Sequence, residues 1–440
     1  MIPEVHKAKT IHKSFIPTIL VLSLILSIGL LSYSKIITVL GFKVFIPELI
    51  LLALTLYGIS SLLTSRSKIE IKPLSGALII LALMSLSSIL SPEPKVSFKE
   101  ALRWGEIFVA FLFTLNLIRN MAEIKVILIT ILLTGILQAL WGILTLIRFN
   151  PYEGTLVTEY FTNPNQLARY LDFSLPMIPA LFLILRSGWI RILCTLSFLF
   201  IGYCLYLTQS RGSWVSNAIV LILWCFPLLY RRTGHESILR VLKRIISFSF
   251  KGAIILFFCL LFLVILAPNF SERAVKHSEP FLGSGLTTRL YLYIAGFKII
   301  EDFPLTGVGG NRYNQVALYY FPPSVSETFI ENMKMSHVHN LYLKIALENG
   351  LLTLMAFLFF LYLVGRDILS SLPALKGERY WLLVGMGGGV LAWLLHNLVE
   401  VGTLHFLGVQ WGLILGLAIS LSRKETSEQK GESDSSEVSD

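Results

Sequence analysis

The sequence predicts an all-α polytopic membrane protein, and three observations predict it. Apolar runs of about 18 or more residues recur along the whole length, each long enough to cross a hydrocarbon core as a helix. Hydrophobic residues make up 55% of the 440-residue chain and charged ones 15%, where a soluble domain carries roughly 25%. Alternating segments of about ten residues, the mark of membrane-barrel strands, are absent.

About twelve spans follow from the runs. They lie near 16–33, 44–63, 74–91, 104–118, 124–147 and 171–186, then 189–208, 213–230 and 248–268. After a polar excursion at 269–338 come 340–364, 381–398 and 403–422. Residues 1–422 therefore read as a single transmembrane domain with one long external loop between spans 9 and 10. The segment 423–440 is polar, acidic and without an apolar face, so a disordered cytoplasmic tail is expected.

Orientation comes from Lys and Arg in the short loops. With the N-terminus inside, inner loops carry Lys7, Lys9, Lys13, Arg66, Lys68 and Lys72. Later inner loops hold Arg186 and Arg191, the group Arg231, Arg232, Arg240, Lys243 and Arg244, and then Arg366, Lys376 and Arg379. The expected topology is N-in and C-in, with 269–338 outside. These loops also account for the formal charge of +10, which argues against nucleic acid as a partner. Residues 1–15 are basic and lack an A-x-A-like cleavage site, so they read as an uncleaved signal-anchor. Cys194, Cys204, Cys225 and Cys259 fall inside apolar runs without CxxC spacing and read as small hydrophobes.

The outer ends collect the residues that carry chemistry. The turn TQSRGSW sets Arg211 between Gln209 and Ser213 at the membrane edge, placed to bind an anion or to anchor a helix end. In the long loop, Leu290, Ile294 and Phe297 recur at helical spacing and predict an amphipathic helix over 288–300 lying on the bilayer. Arg289 falls in its first turn, where the helix dipole does not favour a cation, so it faces an anion or carboxylate. Pro304, Gly307, Gly309 and Gly310 make a turn that alone does not define a phosphate cradle. His337 and His339 open the next span; their spacing and the lack of a carboxylate companion argue against a two-His metal site. His339 reads either as a capping residue or as a general base. His396, Asn397, Glu400 and His405 flank the last hairpin, where Glu400 can orient a histidine or satisfy an arginine.

Outside the cytoplasmic membrane no nucleoside triphosphate is at hand, so a transferase there needs a donor activated beforehand. A lipid diphosphate-linked sugar meets that need. Two guanidiniums would stabilise the charge of the leaving diphosphate, and a neutral histidine would take the proton of the acceptor hydroxyl. Arginines that neutralise the leaving group make a metal unnecessary, and no cofactor is expected.

These residues resemble those of the O-antigen ligase and O-antigen polymerase-like glycosyltransferases of the bacterial envelope. The family's signature is His, then Asn, Ser or Gln, nine residues, then Gly and an aliphatic residue. Here it reads His339, Asn340, nine residues, Gly350, Leu351. The SRG at Arg211 and the stretch TTRLYLYIAGFKIIEDFPLTGVG are similar to the family's outer arginine turn and loop segment. The resemblance implies a GT-C-related architecture in the bacterial inner membrane with a periplasmic site. It implies metal-independent, inverting transfer of a glycan from undecaprenyl diphosphate to an acceptor, lipid A–core of lipopolysaccharide in the ligases. By position His339 would be the base, with Arg211 and Arg289 on the diphosphate. Gln209, Asn340, Gly350, His337 and Glu400 would complete the substrate site. The same signature occurs in polymerases, in protein O-oligosaccharyltransferases and in relatives described as bicarbonate transporters. A transporter is expected to bury charges at mid-membrane on broken helices, whereas most candidate charges here lie at outer ends.

Overall fold

The computed structural model describes residues 16–28, 36–39, 42–64, 72–118, 120–149, 163–233, 284–321, 330, 337–402 and 407–436. Helix α1 is Ile16–Ile28. A short antiparallel hairpin, β1 (Ile36–Val39) and β2 (Phe42–Phe45), follows and departs from the all-helical expectation. Then come α2 (Ile46–Thr64), α3 (Lys72–Leu90), α4 (Pro94–Leu117) and α5 (Met121–Phe149). The middle of the chain holds α6 (Pro164–Asp172), α7 (Met177–Ile184), α8 (Gly188–Leu207), α9 (Arg211–Leu223) and α10 (Cys225–Thr233). Helix α11 is Ser284–Asp302, and the C-terminal part is α12 (Leu341–Asn349), α13 (Leu351–Ser371), α14 (Gly377–His396) and α15 (Leu407–Ser436).

Helices thus occupy every expected span except 248–268, which lies outside the described residues. Five of them are long and apolar enough to cross a bilayer by length and composition. Gly188–Leu207 combines a mean hydropathy of 1.9 with only 22% of its apolar window buried in protein. Lipid, not water, is the solvent for such a surface. This is a helical membrane protein. Helix α15 runs on to Ser436, past residue 423, where the polar tail begins.

Two expected elements change shape. The sixth span is a broken helix. Pro176 has no N–H to give the Asp172 carbonyl, so α6 stops at Asp172 and α7 restarts at Met177. Helix α6 also begins well before the expected 171, capped by Asn163, which accepts from the Asn165 N–H at 2.8 Å. The loop helix buries its apolar face in protein. It spans Ser284–Asp302, which moves Arg289 from the first to the second turn, and Leu292, Ile294, Ala295, Ile299 and Ile300 are all buried. It packs on α12, where a Cβ at Gly296 would stand 3.1 Å from a Leu347 methyl. Tyr313 ties the loop back with its hydroxyl, which donates to the Leu292 carbonyl at 2.7 Å.

Small residues set the tightest helix pairs, as in lipid, where packing replaces the hydrophobic drive between helices. Gly412 and Gly416 of α15 let α4 approach until Thr114 Oγ1 donates to the Leu413 carbonyl at 3.1 Å. Gly350 joins α12 to α13 with φ +86°, and a Cβ there would fall 1.9 Å from the Leu305 carbonyl oxygen. Around it Leu351 N–H donates to the Pro304 carbonyl at 2.8 Å and Gly309 N–H to the Glu348 carbonyl at 2.8 Å. The glycine turn of the long loop is therefore spent on docking against α12 and is no phosphate cradle. Gly350→Ala should lower the stability of the folded protein by on the order of 3 kcal/mol, the upper range for a strained backbone. A fall of several degrees in the thermal unfolding of detergent-solubilised protein checks this, and an unchanged midpoint refutes it.

Candidate active site

The site forms where the start of α12 meets the turn after α14. Asn340 is the N-cap of α12: its Oδ1 accepts from the Leu343 N–H at 2.9 Å, and its Nδ2 donates to the Leu398 carbonyl at 2.9 Å. Leu341 N–H donates to the Asn397 carbonyl at 3.0 Å. The His-Asn pair of the signature is thus fastened to the turn 397–402 by backbone and cap together. His339 itself has φ +51°, a left-handed conformation that costs a non-glycine residue about 1–2 kcal/mol. From α11, the Tyr293 hydroxyl donates to the His339 carbonyl at 3.1 Å and helps hold it there.

That backbone turns the imidazole onto Glu400. His339 Nδ1 and Glu400 Oε1 are 2.9 Å apart, with the histidine side chain 27% exposed and the carboxylate 6%. Asn165 Nδ2 donates to the other oxygen at 2.9 Å, and the Val401 N–H donates to Oε1 at 3.2 Å. Burial pushes the Glu400 carboxyl up. The His339 hydrogen bond and the Arg169 charge outweigh it and hold the group well below the carboxylate range. An ionised Glu400 is acceptor only, so Nδ1 of His339 carries the proton. Nε2 is then the basic nitrogen, and no described residue hydrogen-bonds to it. Glu400 orients the histidine and also balances Arg169.

The other expected residues divide. Arg211 is the first residue of α9, exposed and without a hydrogen bond or ion pair to any described residue. Gln209 precedes it with φ +54° and makes the tight turn between α8 and α9. The turn touches the 396–402 segment, since a Cβ at Gly212 would lie 2.6 Å from a Val399 methyl. Arg289 is half-buried one turn before Tyr293 and acts electrostatically on that tyrosine. Arg211 follows the turn residue Ser210 and precedes Gly212, which packs on that segment, while Arg289 reaches it only through Tyr293 and His339. Gly350 closes the far end of the nine-residue α12, about 13 Å along the axis, and serves the backbone. His337 is half-buried, and its imidazole is pushed down to about 4 by burial and by the Lys344 charge. His405 lies outside the described residues.

Several buried charges were missed from sequence. Arg169 donates to the Asn165 carbonyl at 3.1 Å and also to the Val401 carbonyl, between Glu400 and Asp172. Asp172 pairs with His396 Nδ1 at 2.7 Å, a second histidine–carboxylate dyad. On the other side of α12, Lys344 bridges Glu100, at 3.0 Å, and Glu348. Glu348 in turn accepts the Asn311 N–H at 3.0 Å and so fixes the loop turn. Their partners stand far apart in the chain, so only spacing within one helix, as between Lys344 and Glu348, could have signalled them. Among the described residues no group of three or more His, Cys, Asp or Glu is arranged to hold a metal ion.

Fold and site together define a helical membrane protein with a histidine–carboxylate dyad where the start of α12 meets the turn after α14. A family model described as O-antigen ligase matches residues 196–358. The matched stretch runs from α8 to α13 and includes Arg211, Arg289, His337, His339, Asn340 and Gly350; it stops before His396 and Glu400. Over it the chain is similar to the O-antigen ligases, whose general activity is glycan transfer of the ligase and polymerase type. No curated protein matches the chain.

Proposed function

We propose that this protein transfers a glycan from undecaprenyl diphosphate to an acceptor hydroxyl on the periplasmic face of the bacterial inner membrane. The ligase reading makes that acceptor lipid A–core of lipopolysaccharide. The observation that carries the proposal is the His339–Glu400 dyad, 2.9 Å across, with Nε2 bonded to no described residue; Arg211 and Arg289 are assigned to the diphosphate as part of the same reading. In this reading Nε2 accepts the proton of the acceptor hydroxyl as its oxygen attacks the anomeric carbon. The bond from that carbon to the lipid diphosphate breaks in the same step, with inversion. The departing diphosphate takes the electron pair, and the two guanidiniums meet its growing charge. Glu400 stabilises the imidazolium that forms.

The bicarbonate-transporter reading gains one observation, the buried charges on the broken pair α6–α7. Asp172 and Arg169 are already bonded to protein partners, which fits a scaffold better than a transport site.

Purified protein given an undecaprenyl diphosphate-linked glycan and lipid A–core should yield the joined product, and EDTA should leave the rate unchanged. Product only with a growing glycan as acceptor would make it a polymerase. A rate lost in EDTA and restored by a divalent ion would overturn neutralisation by arginine alone. Bicarbonate flux with no consumption of the lipid-linked glycan would decide for transport.

A further inference from the structure

The second dyad lies directly beneath Arg211. His396 is 1% exposed and Asp172 fully buried, so neither can reach a substrate. Their bonds run instead into the start of α9. His396 Nδ1 faces Asp172 Oδ2 at 2.7 Å, and His396 Nε2 faces the Ser210 hydroxyl at 3.2 Å. With Asp172 ionised, Nδ1 holds the proton and Ser210 donates to Nε2. The other oxygen of Asp172 accepts from Asn217 Nδ2 at 2.7 Å and from the Ser213 hydroxyl. Ser210, Ser213 and Asn217 are the N-cap and one face of α9. Gly212 lets the helix sit straight on the ring, for a Cβ there would stand 2.8 Å from His396 Cδ2.

We propose that Asp172, His396 and Ser210 form a buried clasp that sets the position of Arg211, which makes them positioning residues for the lipid diphosphate. The inference rests on the donor-binding role given to Arg211 above. Two physical points carry it. Arg211 has no bond to a described side chain, so among the described residues its place is set by the backbone at the start of α9. Replacing a buried ionic network by apolar side chains of like volume is often neutral or stabilising, so fold stability alone is a weak reason to keep one here. A network that ties Ser213 and Asn217 of α9 to one carboxylate directly, and Ser210 to it through His396, fixes orientation. A cation held in advance loses less freedom when it grips a diphosphate.

The test is a double-mutant cycle on the full chain in nanodiscs, with undecaprenyl diphosphate itself as the probe. His396→Gln should raise its Kd on the order of tenfold, with Ser210→Ala, which removes one hydroxyl from the same bond, in the same direction. In an Arg211→Ala background either change should cost less than about twofold, because the residue being positioned is gone. In turnover assays the clasp variants should raise donor KM and lower kcat together, as Arg211→Ala should. They should lose little more of either in the Arg211→Ala background, where general destabilisation would still add its loss. If His396→Gln fails to fold, the Ser210→Ala cycle decides. Full additivity with Arg211→Ala, or parental Kd in the folded clasp variant, overturns the clasp while leaving the donor site standing. Parental Kd in Arg211→Ala removes the donor role and the clasp with it.

Discussion

His339→Ala should lower turnover by on the order of a hundredfold or more while undecaprenyl diphosphate still binds. The expectation follows from where the ring sits. A left-handed backbone, the Asn340 cap and the Tyr293 bond to the His339 carbonyl leave the imidazole one orientation, against Glu400. Removing the ring removes the proton acceptor but no group assigned to the diphosphate. Glu400→Gln keeps an oxygen for Nδ1 and loses the charge, so it should cost about tenfold to a hundredfold, the range for a group that orients a ligand imidazole. His337→Ala should cost far less. Its ring, pushed down to about 4 by burial and by the Lys344 charge, is neutral at pH 7 and stands two residues from the dyad. Rates measured at matched expression check all three. Equal losses at His337 and His339, or a fully active His339→Ala protein, would remove the base assignment.

What the sequence made legible is what lies close together along the chain. The signature is local: Asn340 caps α12, Gly350 ends it with a positive φ, and the spacing between them is the length of that helix. The turn at Gln209 and Ser210 is likewise contained in a few residues. Glu400 could be suspected only as one of two possible partners, 61 positions from His339, and its choice to serve both His339 and Arg169 needed the fold. Asp172 and His396 stand 224 positions apart, and neither has a helical neighbour that predicts the other. The broken sixth span shows why. Asn163, Asn165 and Arg169 precede the span expected at 171–186, and Asp172 falls at its start. Each of those polar groups is satisfied inside the protein, which lets the helix start earlier among apolar neighbours. Arg211 does start a helix, but Arg169 and Asp172, buried on that broken pair, and Glu100, Lys344 and Glu348 are charges that the expectation of charges at outer ends leaves out.

Arg211→Lys should be almost as damaging as Arg211→Ala, and that near-equality is the sharper test of the donor site. The side chain leaves the first residue of α9, exposed and without a partner among the described residues, so its whole donor fork is free for a ligand. A planar guanidinium can place two parallel N–H bonds on neighbouring oxygens of a diphosphate, whereas an ammonium offers a point charge on a flexible stem. Each hydrogen bond to a charged group contributes about 1.5–3 kcal/mol, so losing one or both corresponds to roughly tenfold to a hundredfold or more. Arg211→Ala should therefore weaken undecaprenyl diphosphate binding and turnover together. Arg211→Lys should fall within about threefold of it, because charge alone does not restore the paired geometry. Both quantities can be read on the same purified variants, binding by Kd and chemistry by single-turnover rate. A lysine variant close to parental in both would reduce Arg211 to a surface charge, and the grip on the leaving diphosphate would then have to come from Arg289.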